Sequence, residues 1–356
     1  MNAPWRLLDT GVRPAVENMA LDRTLIESCQ VGAPNTLRFL RFQPSALIGF
    51  HQSASQELDL DYCRRAGVAV SRRITGGGAL YCDEGQIGWE LFVNRRTFDT
   101  ADMLLIARRV CEMAVTGLRA IGVEAAFRPR NDIEVQGRKI GGTGGAFDGD
   151  ALLYQGTVLI EFDVEKMLKV LRIPREKLSD KAIASARERI TTLGALLGHT
   201  PSTESVQAAL ARAFAEGFGV DMKGGGLSAA EQELFSCYKD EMADDAWVFE
   251  TDRPKIEMAT LSALRKTAGG LVRVMLAVDT ARGRLKQAFI TGDFFVYPKR
   301  TIVDLEAALR DVSLEQVDDI VTAFFAQRQV EMMLLTPDDL ISVLHEALDS
   351  EEAQAL

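Results

Sequence analysis

Apolar residues return at every third or fourth position between residues 15 and 30, where Val16, Met19, Ala20, Ile26 and Cys29 share one face and predict a helix. The pattern then shortens. Leu37-Arg38-Phe39-Leu40-Arg41-Phe42 and Ala46-Leu47-Ile48-Gly49 read as two strands joined by a turn at Gln43-Pro44-Ser45. Ile87 to Val93 predicts a further strand. Residues 101–121 predict a second helix, with Met103, Ile106, Val110, Met113, Gly117 and Ile121 on its apolar face and Gly122 closing it.

From 132 to 163 the chain is strand and turn: DIEVQ, a turn at Gly137, KIGGTGGAF, the polar turn DGDA, then YQGTVLIEFD. This predicts a sheet of antiparallel hairpins. Helical composition follows over 164–250, with helices expected near 164–171, 180–190, 203–216 and 228–238, interrupted by Gly219 and Gly224-Gly225-Gly226. The stretch DDAWVFETDRPK is polar, contains a proline and has no helical period, so a domain boundary is expected around 245–255. Beyond it, GLVRVMLAVD, the turn TARGR and LKQAFITGDFF form a strand pair. Helices follow near 301–310, 313–327 and 337–348, their starts marked by Pro298 and Pro337.

A chain of 356 residues with 47% hydrophobic and 26% charged residues has ordinary globular composition, and its length suggests about two domains. Lys plus Arg number 41 against 51 Asp plus Glu, a net charge of −10 that argues against a generic nucleic-acid or anionic-membrane binder. No run approaches the roughly 18 apolar residues of a membrane span, and MNAPWRLLDTG lacks a basic-then-apolar signal. The expectation is a soluble cytoplasmic protein. Cys29, Cys63, Cys82, Cys111 and Cys237 are scattered without a CxxC pair, as in a reducing compartment, and His51, His199 and His345 are too far apart for a multi-histidine metal cluster.

Two clusters carry candidate chemistry. In Arg72-Arg73-Ile74-Thr75-Gly76-Gly77-Gly78-Ala79-Leu80-Tyr81, three bare amides follow two guanidinium groups and a hydroxyl, which suits an anion because no Cβ holds it away. The same run is equally readable as a surface turn. It matches neither GxxxxGK[ST] nor GxGxxG. In Arg130-Asn131-Asp132-Ile133 and Gly137-Arg138-Lys139-Ile140-Gly141-Gly142-Thr143, Lys139 could stabilise charge on a phosphoryl or acyl oxygen, and Asp132 could give one carboxylate to Mg²⁺. The plainer alternatives are a solvated hairpin lysine and an Asx turn.

Together the strings RRITGGGALYCDEGQ, RNDIEV, GRKIGGTGG, YQGTVLIEFD and LSDKAIASARERITTL resemble the lipoate-protein ligase family, in that family's order and spacing over about 1–250. The later part, including TGDFFVYPKRTIVDLEAAL, looks like the accessory domain that many such ligases carry. The resemblance implies an α+β fold: a biotin/lipoate ligase-like mixed β-sheet flanked by helices over 1–250, and a small α+β accessory domain over 251–356. It also implies that the carboxylate of lipoate or octanoate attacks the α-phosphate of ATP, and that a lysine of an acceptor then displaces AMP. Expected acceptors are a dehydrogenase lipoyl domain, the glycine-cleavage H protein or a dedicated lipoate-binding protein.

By the family's motifs Arg73 and Gly78-Ala79-Leu80-Tyr81 fall on nucleotide-contacting positions, with Thr75 beside them and the amides of Gly76 and Gly77 in the same loop. Lys139 falls on the lysine that touches the acyl carboxylate and the α-phosphate, and Asn131 and Asp132 on the segment near the phosphates and metal. Two positions depart from the family: Cys82 and Gln155 stand where it usually has histidine. The rival readings are an octanoyl or lipoyl transferase that works without ATP through a cysteine thioester, and a non-catalytic relative that only holds acceptor domains. Biotin ligase shares the fold, but its GRGR-type loop is replaced here by RRITGGGA.

Overall fold

In the computed structural model, residues 4–129, 131–172, 186–252 and 260–350 are described. The chain divides into two compact units: Met1–Leu47, Glu57–Ile74 and Leu80–Val248 form the first, and Ile48–Gln56, Thr75–Ala79 and Phe249–Leu356 the second.

The first unit contains β1 (Trp5–Arg13), β2 (Thr36–Phe42), β3 (Ser45–Ile48), β4 (Ala69–Arg72), β5 (Leu80–Cys82), β6 (Gln86–Asn94), β7 (Ala126–Arg128), β8 (Asp132–Val135), β9 (Arg138–Asp148), β10 (Ala151–Leu159) and β11 (Met222–Gly224). Eight of them form one sheet in the order β11-β1-β2-β6-β10-β9-β8-β7. β1 runs parallel to β11 and β2, while β2-β6-β10-β9-β8-β7 are antiparallel, so the sheet is mixed as expected. The hairpins expected over 132–163 are β8, β9 and β10. The two strands on either side of Gln43-Pro44 form but separate: β2 enters the large sheet, and β3 lies between β4 and β5 in a three-stranded one. β1, whose apolar residues do not alternate cleanly, was not anticipated.

Helices cover both faces of the large sheet. Met19, Leu25 and Ile26 of the Ala15–Gln30 helix pack with Leu40, Phe92 and Leu153. On the other face, Ile106, Val110 and Leu118 of the Met103–Ala120 helix pack with Phe39, Trp89, Leu91 and Tyr154. Central β6 is therefore buried almost throughout, which explains its apolar run Ile87–Val93, broken only by Glu90. Asp102 caps the second helix by accepting the amides of Leu104 and Leu105, and Gly122, at φ +85°, ends it as the sequence suggests. The helices expected near 164–171, 203–216 and 228–238 appear as Val164–Val170, Thr203–Phe218 and Ala229–Ala243. The one expected at 180–190 lies largely outside the described residues.

In the second unit, β12 (Thr260–Thr267), β13 (Gly270–Asp279), β14 (Arg284–Gly292) and β16 (Val312–Ser313) form an antiparallel sheet in that order, and β15 (Val296–Tyr297) pairs with β17 (Glu331–Met332). Helices Thr301–Ala308, Val317–Ala326 and Pro337–Leu348 share its core, with Pro337 opening the last behind a Thr336–Asp339 capping box. The stretch read as lacking helical period contains one helical turn, Asp245–Val248. The segments 48–56 and 75–79 are built into this unit. The His51 ring stacks on Phe294 at 5.0 Å, and Gln56 Oε1 accepts from Arg273 at 2.7 Å and from Thr291 at 3.2 Å.

Beneath the Ala15–Gln30 helix lies a fully buried charge cluster. Arg38 Nη1 donates to Asp22 Oδ1 at 2.6 Å and to Glu90 Oε2 at 2.9 Å, while Nη2 donates to Asn18 Oδ1 at 2.6 Å. Burial raises the Asp22 carboxyl well above its ordinary range and repulsion from Glu90 adds to this, with Arg38 opposing; burial raises Glu90 as well. A carboxyl raised in the folded state contributes stability that is complete below the ordinary carboxylate range and is lost as pH climbs through the folded value. Arg38→Met should therefore cost about 3–5 kcal/mol of unfolding free energy by urea titration, because two buried carboxylates lose their cation. Asp22→Asn should flatten the decline of stability as pH rises above the ordinary carboxylate range.

Candidate active site

The β8–β9 hairpin turns through Gln136 and Gly137, at φ 51° and 77°, two consecutive left-handed residues that match the strands' twist. Asp132 lies opposite Gly142 and Ile133 opposite Gly141, but Glu134 lies opposite Lys139, so Ile140 is an extra residue in β9. Its side chain is fully buried in the core beneath the Met103–Ala120 helix, which anchors the bulge. A bulge re-aims its neighbours. Lys139 Nζ accordingly reaches Asp132 Oδ1 at 2.7 Å and lies 3.0 Å from where a Cβ on Gly142 would stand. A Cβ on Gly141 would fall 2.0 Å from the carbonyl oxygen of Thr157. Gly141 is thus imposed by the backbone of the next strand, whereas a Cβ at Gly142 would press only on the end of the lysine side chain.

Asp132 is 13% exposed. Burial alone would raise its carboxyl, but the charges and hydrogen bonds of Lys139 and Arg128 outweigh it and hold the carboxyl below the ordinary range. Asn131 is fixed by its backbone, its carbonyl accepting from Thr143 N at 2.7 Å and Thr143 Oγ1 at 3.2 Å. Thr143 in turn meets Tyr154 Oη at 3.0 Å and Cys111 Sγ at 3.5 Å, which ties the turn before β8 to the helix-covered core. The Thr191 amide donates to Lys139 O at 2.8 Å, bringing the end of the RERITTL segment alongside β9.

Arg73 is buried and donates to the carbonyl of Leu47 at 3.1 Å; burial lowers its guanidinium to about 10. Cys82 is also buried, and its thiol is pushed up to about 12 although Arg73 opposes the shift. On the same short strand Tyr81 is buried, under the ammonium of Lys166 at 5.5 Å, and Leu80 is exposed. Thr75, Gly76, Gly77, Gly78 and Ala79 belong to the second unit. There a Cβ on Gly76 would lie 2.3 Å from the Phe294 carbonyl, and one on Gly49 would lie 2.0 Å from that of Gly77. Gly77 itself has φ 95°, so packing and backbone conformation alone demand part of the triple glycine.

The structure therefore brings Lys139, Asp132 and Asn131 together on one hairpin. Sequence reasoning missed Arg128, on β7 directly opposite Asp132, whose Nη2 bonds Asp132 Oδ2. The signal was available in the short spacing: Arg128 and Asp132 lie four positions apart with Pro129 between them, close enough for neighbouring strands to set them opposite each other. It also missed Thr157, whose hydroxyl accepts the Gly142 amide at 3.3 Å. Gln155, one of the two departures from the family, sits opposite Glu90 on β6 and Gly144 on β9. Among the described residues no group of three metal-binding side chains gathers, and both oxygens of Asp132 already carry cationic partners.

A mixed sheet covered by helices on both faces is also the fold of solved lipoate-protein ligases. Residues 14–215 match the lipoyl protein ligase A/B catalytic domain, and the chain belongs to that family of lipoyl- and octanoyl-transferring enzymes. It is similar to lipoate-protein ligase A subunit 1 of Thermoplasma acidophilum, 32% identical over 227 residues that span 61% of this chain and 85% of that protein. It is also similar to octanoyltransferase LipM of Symbiobacterium thermophilum, 29% identical over 257 residues, 65% of this chain and 93% of that one. A solved structure of a bi-partite lipoate protein ligase and its E2 lipoyl domain from Thermoplasma acidophilum superposes with a TM-score of 0.66 at 30% identity, covering 72% of this chain and 100% of that chain.

Gly142→Ala should displace the Lys139 ammonium by a few tenths of an ångström without unfolding the hairpin. The expected result is a loss of roughly 10-fold to 100-fold in the rate of acceptor lipoylation, with an unchanged circular dichroism spectrum.

Proposed function

We propose that the protein is an ATP-dependent lipoate-protein ligase that activates lipoate, or octanoate, and transfers it to a lysine of an acceptor domain. In the first step a carboxylate oxygen of the acid bonds to the α-phosphorus of ATP, the bond to the β-phosphate oxygen breaks, and pyrophosphate leaves. In the second, the acceptor's neutral ε-amine attacks the acyl carbon, AMP departs with the bonding electrons, and an amide remains after the amine gives up its proton. Carboxylate and triphosphate repel each other, so a cation between them lowers the barrier to their approach. Lys139 is assigned that place. Arg73, Thr75, the Gly76 to Ala79 loop, Leu80, Tyr81 and Asn131 are proposed to hold the nucleotide.

The observation that carries this reading is the state of the thiols. The transferase route needs a thiolate, whereas burial pushes Cys29 and Cys63 up to about 11, Cys82 to about 12, and Cys111 upward. The fifth, Cys237, is exposed on the Ala229–Ala243 helix. Lys139 has by contrast a re-aimed, half-exposed ammonium beside a carboxylate. The relatives named octanoyltransferase keep the ATP-free route as the second reading. An acceptor of the lipoyl-domain type is favoured by the likeness to the archaeal lipoylation system of Thermoplasma acidophilum, a bi-partite lipoate protein ligase and its E2 lipoyl domain.

Lipoate-dependent ATP–pyrophosphate exchange is expected, together with a mass gain on an acceptor lysine only when ATP is present. Lys139→Ala should lower exchange by about 100-fold or more while changing the unfolding free energy by no more than about 1 kcal/mol. Cys82→Ser and Cys111→Ser should retain exchange. Efficient transfer from octanoyl carrier protein without ATP would sink the ligase reading in favour of the transferase. Absence of both activities would leave only acceptor binding.

A further inference from the structure

Asp132 is an anion shared by two cations. Lys139 Nζ takes Oδ1 at 2.7 Å, Arg128 Nη2 takes Oδ2, and Arg128 Nε also reaches Glu134 Oε2 at 3.5 Å. Exposure separates the two cations from the carboxylate: Arg128 is 54% and Lys139 39% exposed, against 13% for Asp132. A carboxylate this far removed from water is costly to leave without any cation. If Lys139 were its sole partner, the ammonium could turn to a ligand only by stranding that charge. Arg128 removes the obstacle, since the second oxygen stays paired while the first is vacated. Gly142 leaves the space beside Nζ bare, so the four-carbon stem has room to swing.

We infer that Arg128 is a positioning residue that lets Lys139 exchange Asp132 for the carboxylate of the incoming acid. This rests on the assignment of Lys139 to that acid in the proposed reaction. Arg128 acts only through Asp132. With Arg128 gone, Lys139 is locked onto Asp132 and the acid binds poorly. With Asp132 also made neutral there is no charge to strand, and the ammonium is free again.

The test is calorimetric titration of the full-length protein with lipoate in the absence of nucleotide and metal. Wild type should bind, Lys139→Met should weaken binding by about tenfold, and Arg128→Ala by about fivefold. Arg128→Lys, which keeps the charge, should stay within about twofold of wild type. The deciding arm is the double variant Arg128→Ala with Asp132→Asn, expected to recover to within about twofold of Asp132→Asn alone. A purely scaffolding role for Arg128 could not be reversed by a second substitution, so a double variant as weak as Arg128→Ala overturns the exchange, as does an Arg128→Ala protein that binds like wild type. Lys139→Met binding as tightly as wild type refutes the assignment of Lys139 instead, and a wild type that binds no lipoate refutes both. Thermal melts of each variant establish that the titrated protein is folded.

Discussion

The bareness of β9 is the constraint on which the candidate site depends. A side chain at Gly141 would strike the backbone of β10, and one at Gly142 would meet the Lys139 ammonium. Because both positions are empty, two strands approach closely and a lysine folds back across its own strand to a carboxylate on the neighbouring one. The buried Ile140 is the counterpart of that emptiness: the extra residue that bends β9 is pinned in the core, so the aim of Lys139 is set by packing several ångströms away from its charge.

Charge is handled differently on the two parts of the same sheet. At Asp132 the partners are partly exposed, the setting in which the proposed exchange has a low desolvation cost. At Arg38 the two carboxylates and the Asn18 amide that the cation holds are all buried, so exchanging any of them carries a large desolvation cost. Glu90 links the regions by position, since it lies opposite Arg38 on one side and opposite Gln155 on the other. A polar row therefore crosses the middle of the sheet, beneath the Ala15–Gln30 helix.

The thiols show how burial selects among chemistries that a sequence leaves open. Cys82 stands beside a guanidinium, an arrangement that would favour thiolate in water, yet burial dominates and keeps it protonated. Proximity of a cysteine to a glycine loop is thus weak evidence for a nucleophile until its surroundings are known. The triple glycine carries a related lesson. Gly76 and Gly77 are required by contact with Phe294 and Gly49 and by a positive φ, so the run cannot be credited wholly to ligand binding.

Local pattern determined a great deal by itself. The helices at 15–30 and 101–121, the hairpins of 132–163 and the last three helices were legible because amphipathic period, capping residues and glycine turns are properties of neighbouring residues. The motifs also placed Lys139, Asp132 and Asn131 in one cluster, since a short hairpin brings nearby positions together. Only tertiary structure decided the rest. Parallel pairing of β1 with β2 and β11, the parting of β2 from β3, and the membership of 48–56 and 75–79 in the second unit all join residues far apart in the chain. The bulge at Ile140, the Arg128 contact and the suppression of the thiols likewise arise from packing and desolvation, which depend on what surrounds a residue and not on what adjoins it in sequence.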